Sequence, residues 1–238
     1  MIAENRAYII QTIKESGQIN MNIDLFMLDQ TSLDKDVIFT LRFYTWDGCW
    51  ISLGHHQKNL PHKWLELSRQ GLINIVRRPS GGGAVLHNGG ITYALTFKKS
   101  LYERFSYERV NDWLKESFDK LNVSLKNGTI SKSIVQDNCF GSSFTCDLID
   151  HNGFKRIGSA IFSKKGSFLQ HGEIQLDPPQ DLWLELFDEE PPPPLEIKFS
   201  KSKIIELLKN CFIENYASQS INKVNVSYSD LKRMMKPT

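Results

Sequence analysis

Arg77-Arg78-Pro79-Ser80-Gly81-Gly82-Gly83-Ala84-Val85-Leu86-His87 is the stretch on which the reading of this chain turns. A short apolar run, 73–76, leads into it, and a second, ITYALTF over 91–97, follows it. Both have strand character, so the glycines sit in a loop between strands. Consecutive glycines cost backbone entropy. That cost is tolerated where a chain turns sharply or where a ligand must reach the peptide groups, whose N–H bonds then hold an oxyanion, a phosphate or a carboxyl group. The stretch reads neither GxxxxGK[ST] nor GxGxxG, which excludes a P-loop and a dinucleotide fingerprint. On a strand, Arg77 and Arg78 point to opposite sides. One is then free to clamp a phosphate or carboxylate through both its donors while the other meets the sheet or solvent. The plain alternative is a glycine hairpin with two solvated arginines.

Working outward, residues 37–46 alternate Val37, Phe39, Leu41, Phe43 against Thr40, Arg42, Tyr44 and read as a strand that turns at Trp46-Asp47-Gly48. Residues 20–33 carry Ile23, Phe26, Met27 and Gln30 near helical spacing. Pro61 to Gln70 is a short helix, with proline in its first turn and Gly71 just past its end. Residues 106–121 place Val110, Trp113, Leu114, Ser117 and Leu121 on one helical face, with Ser106 as the cap. Short strands occupy 154–176, broken at Lys164-Lys165-Gly166. Pro178-Pro179 and then Pro191–Pro194 interrupt regular structure, and the four-proline run is the best linker candidate. Ser200 to Tyr216 is a helix beyond it. Strands and helices mix without strict βαβ alternation, so the fold class is α/β of the α+β kind. The expected division is a catalytic domain over 1–190, then the proline linker and a short helical extension over 191–238.

Bulk properties narrow the function. The chain has 238 residues, 40% hydrophobic and 24% charged, an ordinary globular composition. A net charge of +2 gives no argument for nucleic acid or membrane as a partner. Cys49, Cys139, Cys146 and Cys211 show no CxxC spacing, and no metal site is expected. No secretory leader and no membrane-spanning run is read, which points to a cytoplasmic protein with reduced thiols.

A second segment, 137–172, is dense in reactive residue types. Lys155 lies in Gly153-Phe154-Lys155-Arg156-Ile157-Gly158-Ser159-Ala160. A lysine among small residues can approach a substrate carbonyl, polarise it or steady an oxyanion, or act as a base once desolvated. A surface lysine on a hairpin is the ordinary alternative. Cys139 lies in Asp137-Asn138-Cys139-Phe140-Gly141-Ser142-Ser143. A thiolate near a lysine is a good acyl nucleophile, whereas most free cysteines are small buried hydrophobes. His171, in Gln170-His171-Gly172-Glu173, closes the block either as a hydrogen-bonding partner of the active-site backbone or as a packed ring.

Together the two blocks resemble the biotin/lipoate protein ligase superfamily, in its lipoate-protein ligase A and octanoyltransferase branch. The first is similar to the family's RRxSGGGAVxH signature, and the second to its GxKxxGSA…G…QHG signature. Phe43-Tyr44-Thr45-Trp46 and Ser52-Leu53-Gly54-His55-His56-Gln57 resemble its RxYxW…SLGxxQ strand and loop, and the matches run in order over about residues 20–180. The resemblance implies one ligase-type catalytic domain with a mixed, largely antiparallel sheet flanked by helices. It implies an acyl tunnel between the glycine segment and the strand of Lys155. By position, Arg78, Ser80, Gly81, Gly82 and Gly83 would line the acyl or acyl-adenylate pocket, supported by His87. Lys155 would contact the reacting carbonyl. Gly158, Ser159 and Ala160 would border the pocket, and His171 would close it.

Two chemistries belong to this branch. A ligase activates free lipoate with ATP and Mg before passing it to a lysine of a lipoyl domain. An octanoyltransferase takes octanoate from acyl carrier protein onto a cysteine, needs no cofactor, and acylates the same kind of lysine. The acceptor in either case would be the glycine-cleavage carrier protein or a dehydrogenase acyltransferase subunit. Family ligases carry an asparagine–aspartate pair where this chain has Cys139-Phe140 and, further on, Asp147-Leu148. The Cys139-Phe140 pair, sixteen residues before Lys155, resembles the octanoyltransferases with a catalytic cysteine. Ligases also commonly need an accessory domain, and only about 44 residues follow the prolines. Arg156-Ile157 replaces the usual isoleucine–alanine, and Asn88-Gly89-Gly90 replaces an acidic residue common after the histidine. Both departures lean toward the transferase. A non-catalytic carrier-binding homologue is the remaining alternative.

Overall fold

The computed structural model describes residues 5–101, 111–128, 147–217 and 221–236. The elements, in chain order, are β1 (Arg6–Glu15), α1 (Gly17–Leu33), β2 (Val37–Trp46), β3 (Trp50–Leu53), α2 (His62–Arg69), β4 (Asn74–Arg77), β5 (Val85–His87), β6 (Ile91–Lys98), α3 (Asp112–Asp119), β7 (Lys126–Asn127), β8 (Leu148–Ile149), β9 (Lys155–Lys164), β10 (Ser167–Ile174), α4 (Gln180–Phe187), α5 (Lys201–Tyr216), β11 (Asn222–Val226) and α6 (Tyr228–Met234). Eight strands form one sheet in the order β11-β1-β2-β6-β10-β9-β8-β7, and β4-β3-β5 form a second. In the large sheet only the β11–β1 and β1–β2 pairs are parallel. The sheet is therefore mixed and largely antiparallel, as expected.

Alternation along the central strands divides the molecule into layers. Phe39, Leu41 and Phe43 of β2, with Tyr93, Leu95 and Phe97 of β6, face a cluster that includes Trp113 of α3 and Phe212 of α5. The alternate set, Thr40, Arg42 and Tyr44, is also buried, at 3%, 0% and 0% exposure. This polar half of the alternation is covered by α1. The buried positions of α1, among them Asn20, Met21, Asp24, Met27, Leu28 and Thr31, recur every three to four residues and form one stripe. Thr31 of α1 is hydrogen-bonded to Thr96 of β6 at 2.6 Å between hydroxyls. Ser16 caps the helix through the Ile19 N–H, so α1 starts three residues before the hydrophobic spacing suggests.

The small sheet packs with α2 and α4, which also touch each other, and Ile51, Leu53, Trp64, Leu67, Val85 and Trp183 share one cluster. Residues 106–110, including the expected cap Ser106, lie outside the described residues, and α3 is described from Asp112.

Packing runs across the expected boundary at 190/191. Pro191 and Pro192 are buried. The carbonyl of Pro193 accepts from Arg156 Nη1 at 2.6 Å, and Leu195 N–H donates to Leu176 at 2.7 Å. Ile204, Ile205, Leu208 and Phe212 of α5 share a core cluster with Phe39 and Tyr93, and β11 extends the large sheet. Proline stiffness here straps the chain over the β9 side of the sheet. Arg156, a departure from the family pattern, is the residue that fastens it, with a second anchor through Nε to Asp150 at 2.6 Å.

Candidate active site

The glycine loop is held by the chain's own carbonyls. Arg78 Nη1 donates to Ser52 O at 2.8 Å, and its Nη2 donates to Gly81 O and Gly83 O, each at 2.7 Å. Arg77 Nη1 donates to Gly54 O at 2.7 Å and Gln57 O at 2.8 Å. Three glycines offer no side chains to pack, so the two guanidinium forks fix the loop instead. This differs from an arginine held ready as a ligand clamp. Gly82 has φ 93°, a backbone that favours glycine. A Cβ on Gly54 would stand 1.8 Å from the Gly82 carbonyl oxygen, so the two loops interleave only because both residues are glycine.

Register brings the remaining residues together. Across the sheet, Arg42, Ala94, His171 and Ala160 lie in one row, and Tyr44, Thr92, Glu173 and Gly158 in the next. Both rows face α1. Between them and the glycine loop is a narrow pocket. Arg78, His87, Gly158, Ser159, Ala160 and His171 line it, together with Met21, Val85, Ser52 and Glu173. Ser80 and the glycines Gly81, Gly82 and Gly83 are not on its wall. Ser80 reaches it through His171, with Oγ 2.6 Å from Nε2. The Ser159 hydroxyl bonds the Tyr93 hydroxyl at 2.8 Å, on the side of the sheet that faces Trp113.

Two polar chains run along the pocket. In the first, His171 Nδ1 lies 3.1 Å from Asp24 Oδ2, which also accepts from the Tyr44 hydroxyl at 3.0 Å. Arg42 Nη1 reaches Asp24 Oδ1 at 3.2 Å, and Nη2 reaches Asn20 Oδ1 at 2.6 Å. All of these groups are buried, and such charges persist only when paired and hydrogen-bonded; here both terminal nitrogens of Arg42 are used, while its Nε has no hydrogen-bond partner among the described residues. Burial, and after it the Asp24 charge, push the Tyr44 phenol well above its ordinary pKa. It therefore stays a donor to Asp24.

In the second, Ser52 Oγ is 2.7 Å from His87 Nε2, and His87 Nδ1 is 2.8 Å from Glu173 Oε2. Thr92 Oγ1 also donates to Oε2 and itself accepts from Trp46 Nε1 at 2.7 Å. Trp46 stacks on the His87 ring at 3.9 Å between centroids and 17°. Burial lowers the His87 pKa; the nearby Glu173 opposes that shift, and Arg78 adds to it. Trp46, His87 and Glu173 also wall a larger cleft of about 860 Å³ that carries Lys14, Cys49 and Lys201.

Lys155 is buried, and its ammonium lies 2.8 Å from Asp147 Oδ2. Asp147 Oδ1 in turn accepts the Ser159 backbone N–H at 3.3 Å, so this ion pair is tied to the strand that borders the pocket. Cys139, Phe140 and Cys146 lie outside the described residues. Among the described residues no cluster of His, Cys, Asp or Glu could hold a metal ion, and no helix is long and apolar enough to cross a membrane. The residues to which the motifs assigned no role are Asp24, Asp147 and Glu173, whereas Arg42 is the arginine of the RxYxW strand. Glu173 was within reach of sequence reasoning, because it shares strand parity with His171 two residues earlier.

Comparison with known proteins follows this geometry. The octanoyltransferase LipM of Brevibacillus brevis is 32% identical over 196 residues, 77% of this chain and 70% of that protein. The octanoyltransferase LipM of Clostridioides difficile is 31% identical over 184 residues, 73% of this chain and 66% of that protein. Among solved structures, a putative lipoate protein ligase from Thermoplasma acidophilum with bound lipoic acid superposes with a TM-score of 0.73 at 17% identity, covering 97% of this chain and 92% of that one. A lipoate-protein ligase A bound with ATP gives 0.72 at 16% identity, with the same coverage of both chains. These two likenesses establish the fold. The family model described as the lipoyl protein ligase A/B catalytic domain matches residues 16–202, and the chain belongs to that family.

Proposed function

We propose that this protein is an octanoyltransferase that moves an octanoyl group from acyl carrier protein, through a thioester on Cys139, to a lysine of a lipoyl domain. The observation that carries the reading is the 32% identity to a curated octanoyltransferase over 196 residues. Similarity to ligase structures lies at 17% identity and below, where it speaks for fold and leaves the reaction open. The pocket supports the reading: it sets apolar Met21, Val85 and Ala160 beside a few convergent polar groups, the usual composition of a small-ligand site.

In this mechanism the Cys139 thiolate attacks the octanoyl thioester of the carrier protein, and the carrier's thiolate leaves. The Lys155 ammonium lowers the Cys139 thiol pKa or steadies the oxyanion. A lipoyl-domain lysine then attacks the Cys139 thioester, forming an amide and releasing Cys139. Arg78, His87, Gly158, Ser159, Ala160 and His171 would hold the acyl group, Ser80 would act through its bond to His171, and Gly81, Gly82 and Gly83 would shape the loop that Arg78 fixes. No cofactor enters these steps, whereas the ligase chemistry of the same fold would consume ATP with Mg. The acceptors would be the glycine-cleavage carrier protein or a dehydrogenase acyltransferase subunit, and the reaction would belong to the cytoplasm, where thiols stay reduced.

Intact-mass measurement after incubation with octanoyl carrier protein, with and without ATP, tests this. The expected result is one octanoyl adduct on the wild type, independent of ATP and absent from Cys139→Ala. An adduct that persists in Cys139→Ala removes Cys139 as the nucleophile. Acylation of a lipoyl domain only with free lipoate and ATP replaces the transferase with a ligase.

A further inference from the structure

Ser52, His87 and Glu173 come from three separate strands, β3, β5 and β10, and meet in one hydrogen-bonded line on the pocket wall. A hydroxyl on one imidazole nitrogen and a carboxylate on the other is the arrangement by which a neutral histidine becomes a directed base. The ring is held on every side. Trp46 stacks on it, and Glu173 is fixed by Thr92, itself fixed by Trp46. Gly90 makes room for the carboxylate, since a Cβ there would stand 2.2 Å from Glu173 Oε1. The charged groups around His87 are Glu173 and His171 from β10 and Arg78 from the glycine loop, with Asp24 of α1 one hydrogen bond further out on His171.

We propose that Ser52, His87 and Glu173 form the proton relay for the second half-reaction, the acylation of the acceptor lysine. The inference rests on the transferase reading above. The lysine's ammonium gives one proton to Ser52 Oγ as the proton already on Ser52 passes to His87 Nε2. The neutral amine so formed attacks the Cys139 thioester carbonyl. The C–N bond forms, the C–S bond breaks, and sulfur leaves as thiolate and takes the remaining surplus proton from nitrogen. Glu173 stabilises the imidazolium, which returns its proton to water. Ser52 faces the acyl pocket, where the relay takes up its proton, while His87 and Glu173 also wall the wider cleft. Ser52 and His87 carry the proton; Glu173 is a positioning residue.

The test separates the half-reactions. Octanoyl-enzyme is formed from an octanoyl thioester, isolated, and discharged in a single turnover either to a purified lipoyl domain or to hydroxylamine, a nucleophile already neutral at pH 7. The relay requires Glu173→Gln and Ser52→Ala to slow discharge to the lysine by about 10²-fold, the scale of general-base catalysis, while hydroxylamine discharges them within a few fold of wild type. Ser52→Ala removes one oxygen and keeps the assay decisive if Glu173→Gln folds poorly. Equal slowing with both nucleophiles reduces the three residues to packing and overturns the relay. Unchanged lysine discharge overturns it as well. A wild type that never takes up the acyl group overturns the transferase reading, and the relay with it.

Discussion

Strands β2, β6 and β10 present one set of side chains to α3 and α5 and the alternate set to α1. The first set packs Phe39, Phe43, Tyr93 and Phe97 against Trp113 and Phe212. Rings there meet edge to face, Trp113 with Phe212 at 5.2 Å and with Tyr93 at 5.8 Å between centroids. The second set packs Arg42, Tyr44, Thr92, His171 and Glu173, equally buried, into hydrogen-bonded chains. Burial is thus the same and chemistry opposite. Apolar burial stabilises the fold with little regard to orientation, whereas the polar face gains little net stability and fixes directions. One sheet therefore serves as its own foundation and as the floor of a site.

The contrast can be broken from either side. Trp113→Ala should cost most, about 3–5 kcal/mol for a large ring removed from a tight core. Urea denaturation should show a lowered midpoint, while residual acyl transfer per folded molecule is retained. Asp24→Asn comes next. It strands the Arg42 guanidinium without its counter-charge, and breaking a buried pair costs about 3 kcal/mol. It also removes the acceptor that sets the His171 tautomer, so acyl transfer should fall beyond what the loss of folded protein explains. Ser80→Ala should cost about 1–2 kcal/mol, the cost of leaving a buried hydrogen-bonding atom unpaired, here His171 Nε2. Octanoyl-adduct formation measured beside the melting curve checks both. If Trp113→Ala disables transfer in molecules that remain folded, the two faces are not separable in the way the packing suggests.

The apolar face was the legible one. Alternation located β2, the run ITYALTF located β6, the break at Lys164-Lys165-Gly166 separated β9 from β10, and helical spacing located α5, which Ser200 caps in the structure. β1 was not read, although Tyr8, Ile9, Ile10 and Ile13 give it strand character. It pairs in parallel on both sides, with β11 and β2, and its partners are fixed only by tertiary structure. α4 was hidden by Pro178-Pro179, which reads as a break but stands at the helix start, where proline costs nothing. On the polar face, strand alternation sets Thr40, Arg42 and Tyr44 together but leaves the partner of Arg42 open. Its true partner, Asp24, lies 18 positions away on α1, and His171 lies 147 positions beyond that. Motif spacing grouped Arg78, His87 and His171, but no local pattern encodes Asp24–Arg42 or Ser52–His87–Glu173. Those arise from strand register between distant segments.

The smallest expected effect is also the sharpest test of the difference between the faces. His87 has its pKa lowered from 6.5, chiefly by burial. Above about pH 6.5 it is neutral in both the folded and unfolded chain and contributes no pH dependence. As pH falls below that value, the unfolded chain binds a proton that the folded chain refuses, so stability declines until the lowered folded-state pKa is reached and then levels. Urea midpoints at about pH 7.5 and about pH 5.5 should therefore differ more in the wild type than in His87→Gln, which cannot take the proton. Trp113→Ala removes apolar bulk and no charge, so it should lower both midpoints and leave the difference between them intact. A larger acid-side loss in His87→Gln than in the wild type would mean that the imidazole is held charged in the fold. The relay would then lack the neutral nitrogen that its first proton transfer requires.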